Sequence, residues 1–248
     1  MDIAIDNNGN ASVTEYWKCY ANQGSEIYHP YYNLGNSEIS DLNVFDETKQ
    51  YPVILHLHGA GSRGSDLNLL CDNPFYHHLN TYESFPFVVF GPQCHLDTWF
   101  DLFEQLRRFS QYIAGLNFTD ASRIYLMGAS MGAYATWQLA TSLPEVFAAA
   151  VPICGGGMYW NAGRLKDVPV WAFHGAKDDT VFCEESKKMV DAVNKNGGCA
   201  RLTVYPETGH DSWNETYETP EVFSWLLAQQ KDNVQTPEVK CCEGKQFG

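Results

Sequence analysis

Residues 123–133 read RIYLMGASMGA. An apolar run, Ile124 to Met127, stops on Gly128-Ala129-Ser130-Met131-Gly132. Small residues at the end of a strand let the chain turn closely into the next element, and that alone would account for two glycines. A serine held in a Gly-x-Ser-x-Gly spacing has a second reading. A strained strand-to-helix turn pushes the hydroxyl outward, and the glycines remove side chains that would collide across the turn. Three fixed residues of common types recur by chance. The second reading therefore needs a strand before the serine, a helix after it, and an acid and a histidine further along.

The flanking sequence supplies the strand and the helix. Short apolar or β-branched runs recur at 52–59, 87–93, 123–129, 147–154, 168–175 and 200–207. Most are apolar throughout, as parallel strands covered on both faces should be. Helical patterns lie between them. Trp99, Leu102, Phe103, Leu106, Phe109 and Ile113 share one face of a helix near 99–115, and a second helix runs from Met131 to Thr141 before Pro144. A third covers roughly 184–196 and stops at Gly197-Gly198. The last follows Thr219-Pro220-Glu221 and buries Val222, Trp225 and Leu226. This alternation predicts an α/β fold: a mostly parallel central sheet with helices on both faces. Residues 1–50 are expected to add one or two antiparallel edge strands and a polar loop at 37–50. The tail, 231–248, reads as peripheral. With no repeat, linker or second core in view, the 248 residues are expected to form a single domain.

An acid and a histidine follow in order. WAFHGAKDDTV places Asp178 just past a strand, and YPETGHDSW places His210 past the next one. They lie 48 and 32 residues apart along the chain, counting from Ser130. A neutral serine is a poor nucleophile; it needs a base within hydrogen-bond reach and a group that orients the base. Asp179 competes with Asp178, and the His-Gly-x-x-Asp spacing favours Asp178. Donors for a developing oxyanion would be the amide of Met131 and one from the turn His58-Gly59-Ala60-Gly61, with Ala60 first and Gly61 second. His58 and His174 each precede a glycine at a strand end and read as structural turn histidines. His77, His78 and His95 read as surface positions.

Composition limits the partners. The formal net charge is −14, which argues against nucleic acid and anionic membrane surfaces. No stretch of apolar residues is long enough to span a bilayer, and the first residues lack the basic start and apolar centre of a signal peptide. Localisation stays open, since a trimmed mature chain would look the same. The eight cysteines show neither C-x-x-C pairs nor zinc-like spacing with histidine. No metal and no organic cofactor are expected. Gly155-Gly156-Gly157 lacks the Gly-Lys-Ser/Thr of a phosphate cradle and reads as a loop.

Five stretches together carry a resemblance: LHGAGSRGSD, DASRIYLMGASMGAYATWQLA, PEVFAAAVPICGGG, VPVWAFHGAKDDTV and GHDSWNETYETPEVFSWLL. Over roughly 50–230 the chain resembles the compact esterases of the α/β-hydrolase superfamily. Within it the chain is most similar to the bacterial carboxylesterase and feruloyl-esterase-like group, with its peptidase and phospholipase/carboxylesterase relatives. The resemblance implies Ser130 as nucleophile, Asp178 as acid, His210 as base, and the Ala60 loop in the oxyanion hole. The order serine, aspartate, histidine is the superfamily's. Ala133 departs from the pattern, where a second glycine is common. The implied activity is serine carboxylesterase action on small acyl or carbohydrate-linked esters, feruloyl or acetyl. Only 13 residues, 155–167, lie where cap domains are often inserted, so no large cap is expected. Loop aromatics are expected to line an open cleft, with Trp99, Trp160 and Trp213 as substrate-binding residues and Phe100, Tyr159 and Phe182 nearby. A serine peptidase, a lyase using the same triad and a non-catalytic binding module share the fold; the absence of a propeller or cap domain and the intact triad favour the esterase.

Overall fold

The computed structural model describes residues 48–66, 68–79, 81 and 85–231, together with three short strands within the first twenty residues. The strands are β1 (Asp2–Ile5), β2 (Ala11–Thr14), β3 (Cys19–Tyr20), β4 (Tyr51–Leu57), β5 (Val88–Phe90), β6 (Thr119–Ala129), β7 (Ala149–Ile153), β8 (Val170–Gly175) and β9 (Ala200–Tyr205). The helices are α1 (Asn68–Cys71), α2 (Pro74–Leu79), α3 (Phe103–Ala114), α4 (Met131–Ser142), α5 (Glu184–Lys195), α6 (Trp213–Tyr217) and α7 (Pro220–Leu227). The main sheet has the order β3-β5-β4-β6-β7-β8-β9. β4 to β9 are all parallel, and β3 lies antiparallel on β5 as an edge strand. β1 and β2 pair with each other in a separate two-stranded sheet. The expected polar loop falls outside the described residues up to 47, and so does the tail beyond 231.

Alternation along the strands explains the layering. Val53, Leu55 and Leu57 of β4, with Ile124 and Leu126 of β6, join Leu106, Phe109, Trp137, Leu139, Met189 and Val193 of α3, α4 and α5. Ile54, Tyr125 and Met127 point the other way, onto Phe75, Tyr76, Val222, Phe223 and Leu226 of α2 and α7. Both faces are covered, so both sets of positions must be apolar. Each fully buried Leu, Val or Phe side chain stabilises the packing by roughly 1.5–3 kcal/mol.

The strand order reverses at β4. The chain crosses from β4 to β5 on one side, then returns past β4 to lay down β6 on its other side. Sites in open α/β sheets form at the carboxyl ends of strands next to such a reversal.

Two helices differ from expectation. The helix near 99–115 begins only at Phe103, because Thr98 donates its N–H and hydroxyl to Asp101 and holds 98–102 in turns. In α7 the buried face is Val222, Phe223 and Leu226. Trp225 is half-buried, standing edge-on to Trp171 with ring centroids 5.6 Å apart. Arg201 lies over that same Trp171 ring at 3.4 Å, so the two tryptophans flank a cation.

Candidate active site

Ser130 sits at the junction of β6 and α4 with φ 55° and ψ −118°. A non-glycine residue in that region carries roughly 1–3 kcal/mol of backbone strain. The strain is held from outside: the Ser130 N–H donates to the Ile153 carbonyl of β7 at 2.8 Å, and its carbonyl accepts from Ala133 and Tyr134 of α4. The flanking glycines are there for close approach. A Cβ on Gly132 would lie 1.9 Å from the Leu57 carbonyl oxygen of β4, and one on Gly128 would lie 2.5 Å from the Gly132 carbonyl oxygen. Helix α4 can start this tightly against the sheet only without those atoms. Ala133, the departure from the pattern, is accommodated by Gly155, whose own Cβ would meet the Ala133 methyl at 2.5 Å.

Three loops converge on this serine. Ser130 Oγ lies 2.8 Å from His210 Nε2, and His210 Nδ1 lies 2.7 Å from Asp178 Oδ2. The other carboxylate oxygen of Asp178 accepts the N–H groups of Thr180 at 3.0 Å and Val181 at 2.9 Å. Burial alone would raise the Asp178 pKa. The His210 hydrogen bond and the Val181 and Thr180 amides outweigh it and hold the carboxyl below its ordinary value. The neighbouring Asp179 is exposed, and its carboxylate accepts a 3.4 Å hydrogen bond from the Thr180 hydroxyl.

The turn after β4 passes close by. A Cβ on Gly59 would lie 3.6 Å from Ser130 Cβ, so this turn is in van der Waals reach of the serine. Ala60–Ser62 is a single 3-10 turn whose bonds are Ser62 N–H to Gly59 O and Arg63 N–H to Ala60 O. The amides of Ala60 and Gly61 open that turn, as the amide of Met131 opens α4, and opening amides have no carbonyl one turn back. His58 braces the turn. Its Nε2 accepts the Cys94 N–H at 2.9 Å, so Nδ1 carries the hydrogen and donates to the Gly59 carbonyl at 2.6 Å. Burial, with Arg63 adding repulsion against the Gly59 hydrogen bond, pushes the His58 pKa down to about 4 and keeps the ring neutral.

The expected aromatic residues take three different positions. Trp99 is 1% exposed and cannot contact a substrate; its indole N–H donates to the His58 carbonyl at 2.9 Å, and its ring packs in the core. That hydrogen bond ties the buried ring to the turn that follows β4. Trp213 stands edge-on to His210, ring centroids 5.4 Å apart, and is half-buried. Trp160 is 72% exposed, with Tyr159 edge-on beside it, and Phe182 and Phe100 are also exposed. Both Trp160 and Phe182 lie in connections that leave the carboxyl ends of strands, β7 and β8.

Two residues of this region were given no contact with the array by the sequence reading. Cys154 follows β7 with a φ of 47°, and its thiol lies within 4.8 Å of the Asp178 carboxylate and a His210 nitrogen. That trio has the ligand types of a metal site, but both His210 nitrogens are already engaged and burial pushes the thiol up to about 12. Among the described residues Cys94, Cys154, Cys183 and Cys199 are free thiols. The second residue is His174, which is buried and has Nε2 3.2 Å from Asp178 Oδ2. A turn histidine is what a His-Gly pair at a strand end suggests, and nothing in the spacing signals this contact.

The sequence profile of the dienelactone hydrolase family matches residues 97–231, more than half of the chain and all three members of the serine–histidine–aspartate array. The chain belongs to that family. A solved structure described as a thermostable esterase is 32% identical, with a TM-score of 0.64, and is matched over 76% of this chain and 57% of its own. Dipeptidyl peptidase 4 from Porphyromonas gingivalis, at 14% identity and TM-score 0.55 over 75% of this chain and 32% of its own, shares the fold. An uncharacterized secreted protein of Arthroderma benhamiae is 25% identical over 203 residues, 66% of this chain and 22% of that protein. The chain thus spans about a fifth of the curated relative it matches and just over half of the esterase. Membership in the family and the parallel sheet with helices on both faces make this an α/β-hydrolase fold.

Proposed function

We propose that this member of the dienelactone hydrolase family is a serine carboxylesterase. The observation that carries the reading is the unbroken contact series from Ser130 Oγ through His210 to the buried Asp178, at the carboxyl end of the sheet. Ser130 Oγ attacks the ester carbonyl carbon while its proton passes to His210 Nε2. The carbonyl π electrons move onto oxygen, where the amides of Met131 and Ala60, with Gly61 as second choice, receive the charge. Collapse breaks the C–O bond, and the leaving alkoxide takes the proton from His210. Water repeats the sequence on the acyl-enzyme and frees Ser130 and the acid. Asp178 holds the imidazole with Nδ1–H inward and favours the imidazolium in each half-reaction.

Small acyl and carbohydrate-linked esters, feruloyl or acetyl, fit the surroundings best. The connection from β7 to β8 holds only one short 3-10 segment, Tyr159–Leu165, so no folded lid is inserted there. Exposed Trp160, Tyr159 and Phe182 offer faces for a phenolic ring or a sugar. A net charge of −14 suits a neutral saccharide better than an anionic phospholipid. The test is kcat/KM for ethyl ferulate, a feruloylated oligosaccharide, an acetylated xylo-oligosaccharide, a long-chain triglyceride and a dipeptide amide, with fluorophosphonate labelling of Ser130. Preference for the saccharide esters supports the assignment. Preference for the triglyceride, or cleavage of the peptide alone, overturns it.

A further inference from the structure

His174 ends β8 one residue before Gly175, and its ring is completely buried. Nε2 lies 2.8 Å from the Val181 carbonyl and 3.2 Å from Asp178 Oδ2. Both partners only accept, so Nε2 carries a hydrogen whether the ring is neutral or charged. On the other side Nδ1 lies 2.7 Å from Ser186 Oγ, and that hydroxyl lies 2.8 Å from the Gly155 carbonyl. A buried ring with two polar partners at Nε2 and one, itself tied to Gly155, at Nδ1 has one orientation available to it.

Val181 links this ring to the acid by both ends of its backbone. Its carbonyl is held by His174 Nε2–H, and its N–H donates to Asp178 Oδ1. The same ring therefore fixes the loop that cradles one carboxylate oxygen and presents a positive hydrogen beside the other. Asp178 Oδ2 consequently lies between two imidazoles, His210 Nδ1 at 2.7 Å and His174 Nε2 at 3.2 Å.

We infer that His174 is a positioning residue for the reaction: it holds the Asp178 carboxylate in the plane that His210 needs. The inference rests on the serine-hydrolase reading above. Without His174 the carboxylate keeps its charge and its two amide donors, but the Val181 segment and Oδ2 are free to shift. Misplacement of the orienting group by a fraction of an ångström costs turnover and leaves substrate affinity alone, because His174 touches no substrate.

The experiment compares two amides of different reach. In His174→Gln the side-chain nitrogen can take the place of Nε2; in His174→Asn it reaches only the position of Nδ1, beside Ser186. Both remove an aromatic ring and should lower Tm alike. The expected result is that His174→Gln keeps turnover within about threefold of wild type. His174→Asn should lose about 10–100-fold in kcat, as the outer partners of functional histidines commonly do, with KM unchanged in both. Equal losses in the two variants, or full turnover in His174→Asn, overturn the inference. Should either variant fail to fold, two-bond proton–nitrogen correlation spectra of the unaltered protein decide it. A hydrogen-bearing Nε2 on His174 supports the role, and a bare Nε2 overturns it. Failure of the serine-hydrolase reading shows separately, as a wild-type protein that neither hydrolyses any ester of the panel nor takes the fluorophosphonate label.

Discussion

The same dipeptide, His-Gly, closes two parallel strands on either side of the serine, and the two copies work in opposite ways. At the end of β4, His58 is neutral with its hydrogen on Nδ1, where it grips the Gly59 carbonyl. At the end of β8, His174 has its hydrogen on Nε2, where it faces Val181 and Asp178. The glycines differ as well. A Cβ on Gly175 would lie 2.1 Å from the Gly209 carbonyl oxygen and 2.3 Å from that of Thr208, the loop that carries His210. A Cβ on Gly59 would meet nothing closer than 3.4 Å, and φ of −73° there suits any residue. A motif read as letters is one object; read as contacts it is two, one bracing backbone donors and the other bracing an acid.

The largest effects should come from the array that both corners support. Ser130→Ala or His210→Ala is expected to lower kcat by about 10⁶, and Asp178→Asn by about 10⁴, measured on a chromogenic acetyl ester. Asp179→Asn should stay within a few-fold, and the reverse ranking would move the acid to Asp179. Next comes the β8 corner itself. Gly175→Ala forces a methyl into two carbonyls and should destabilise the fold by about 1–3 kcal/mol, read as a lower denaturation midpoint, with turnover falling as the His210 loop is pushed away. A variant as stable and active as wild type would refute the close packing.

Acid should separate the corners. His58 is held neutral in the folded protein at about 4, while in the unfolded chain it titrates near 6.5, so the unfolded state binds more protons between those values. Stability from this group is therefore complete above about pH 6.5 and declines as pH falls toward 4, by on the order of 3 kcal/mol. His56, buried and driven well down by desolvation, acts in the same direction. Asp178 has a lowered pKa, so its contribution persists until pH drops below the ordinary carboxylate value. Thermal unfolding followed from pH 7 downward should show Tm falling before any carboxylate titrates, with a shallower slope in His58→Gln. A flat Tm across that window would contradict the burial of both histidines. The smallest effect is expected for Gly59→Ala, with Tm and kcat near wild type; a large loss there would erase the contrast with Gly175.

The readable part of the molecule is its middle. The largely apolar runs at 52–59, 123–129 and 168–175 became β4, β6 and β8, because a strand buried on both faces favours apolar residues at both sets of positions. Ser130, Asp178 and His210 were legible through type, order and placement after strands. Trp99 was not: its fate depends on a carbonyl 41 residues away, at His58, which no local pattern records. The contact between His174 and Asp178 is short in sequence but depends on how the Val181 loop closes, and side-chain chemistry alone does not say which nitrogen faces inward. Cys154 is equally silent, since a left-handed backbone is normally announced by glycine and here a thiol takes that position.

β9 lies at the outer edge of the main sheet, and the loop that follows it carries His210. A chain emerging from the ribosome therefore lays down the serine corner and the strand bearing the acid well before it owns a histidine to activate them. Until β9 docks, Ser130 Oγ lacks the His210 Nε2 that stands 2.8 Å from it in the folded protein. On the proposed serine mechanism, activity is withheld from a chain that has not yet docked β9, and its appearance during synthesis or refolding is expected to mark closure of that edge.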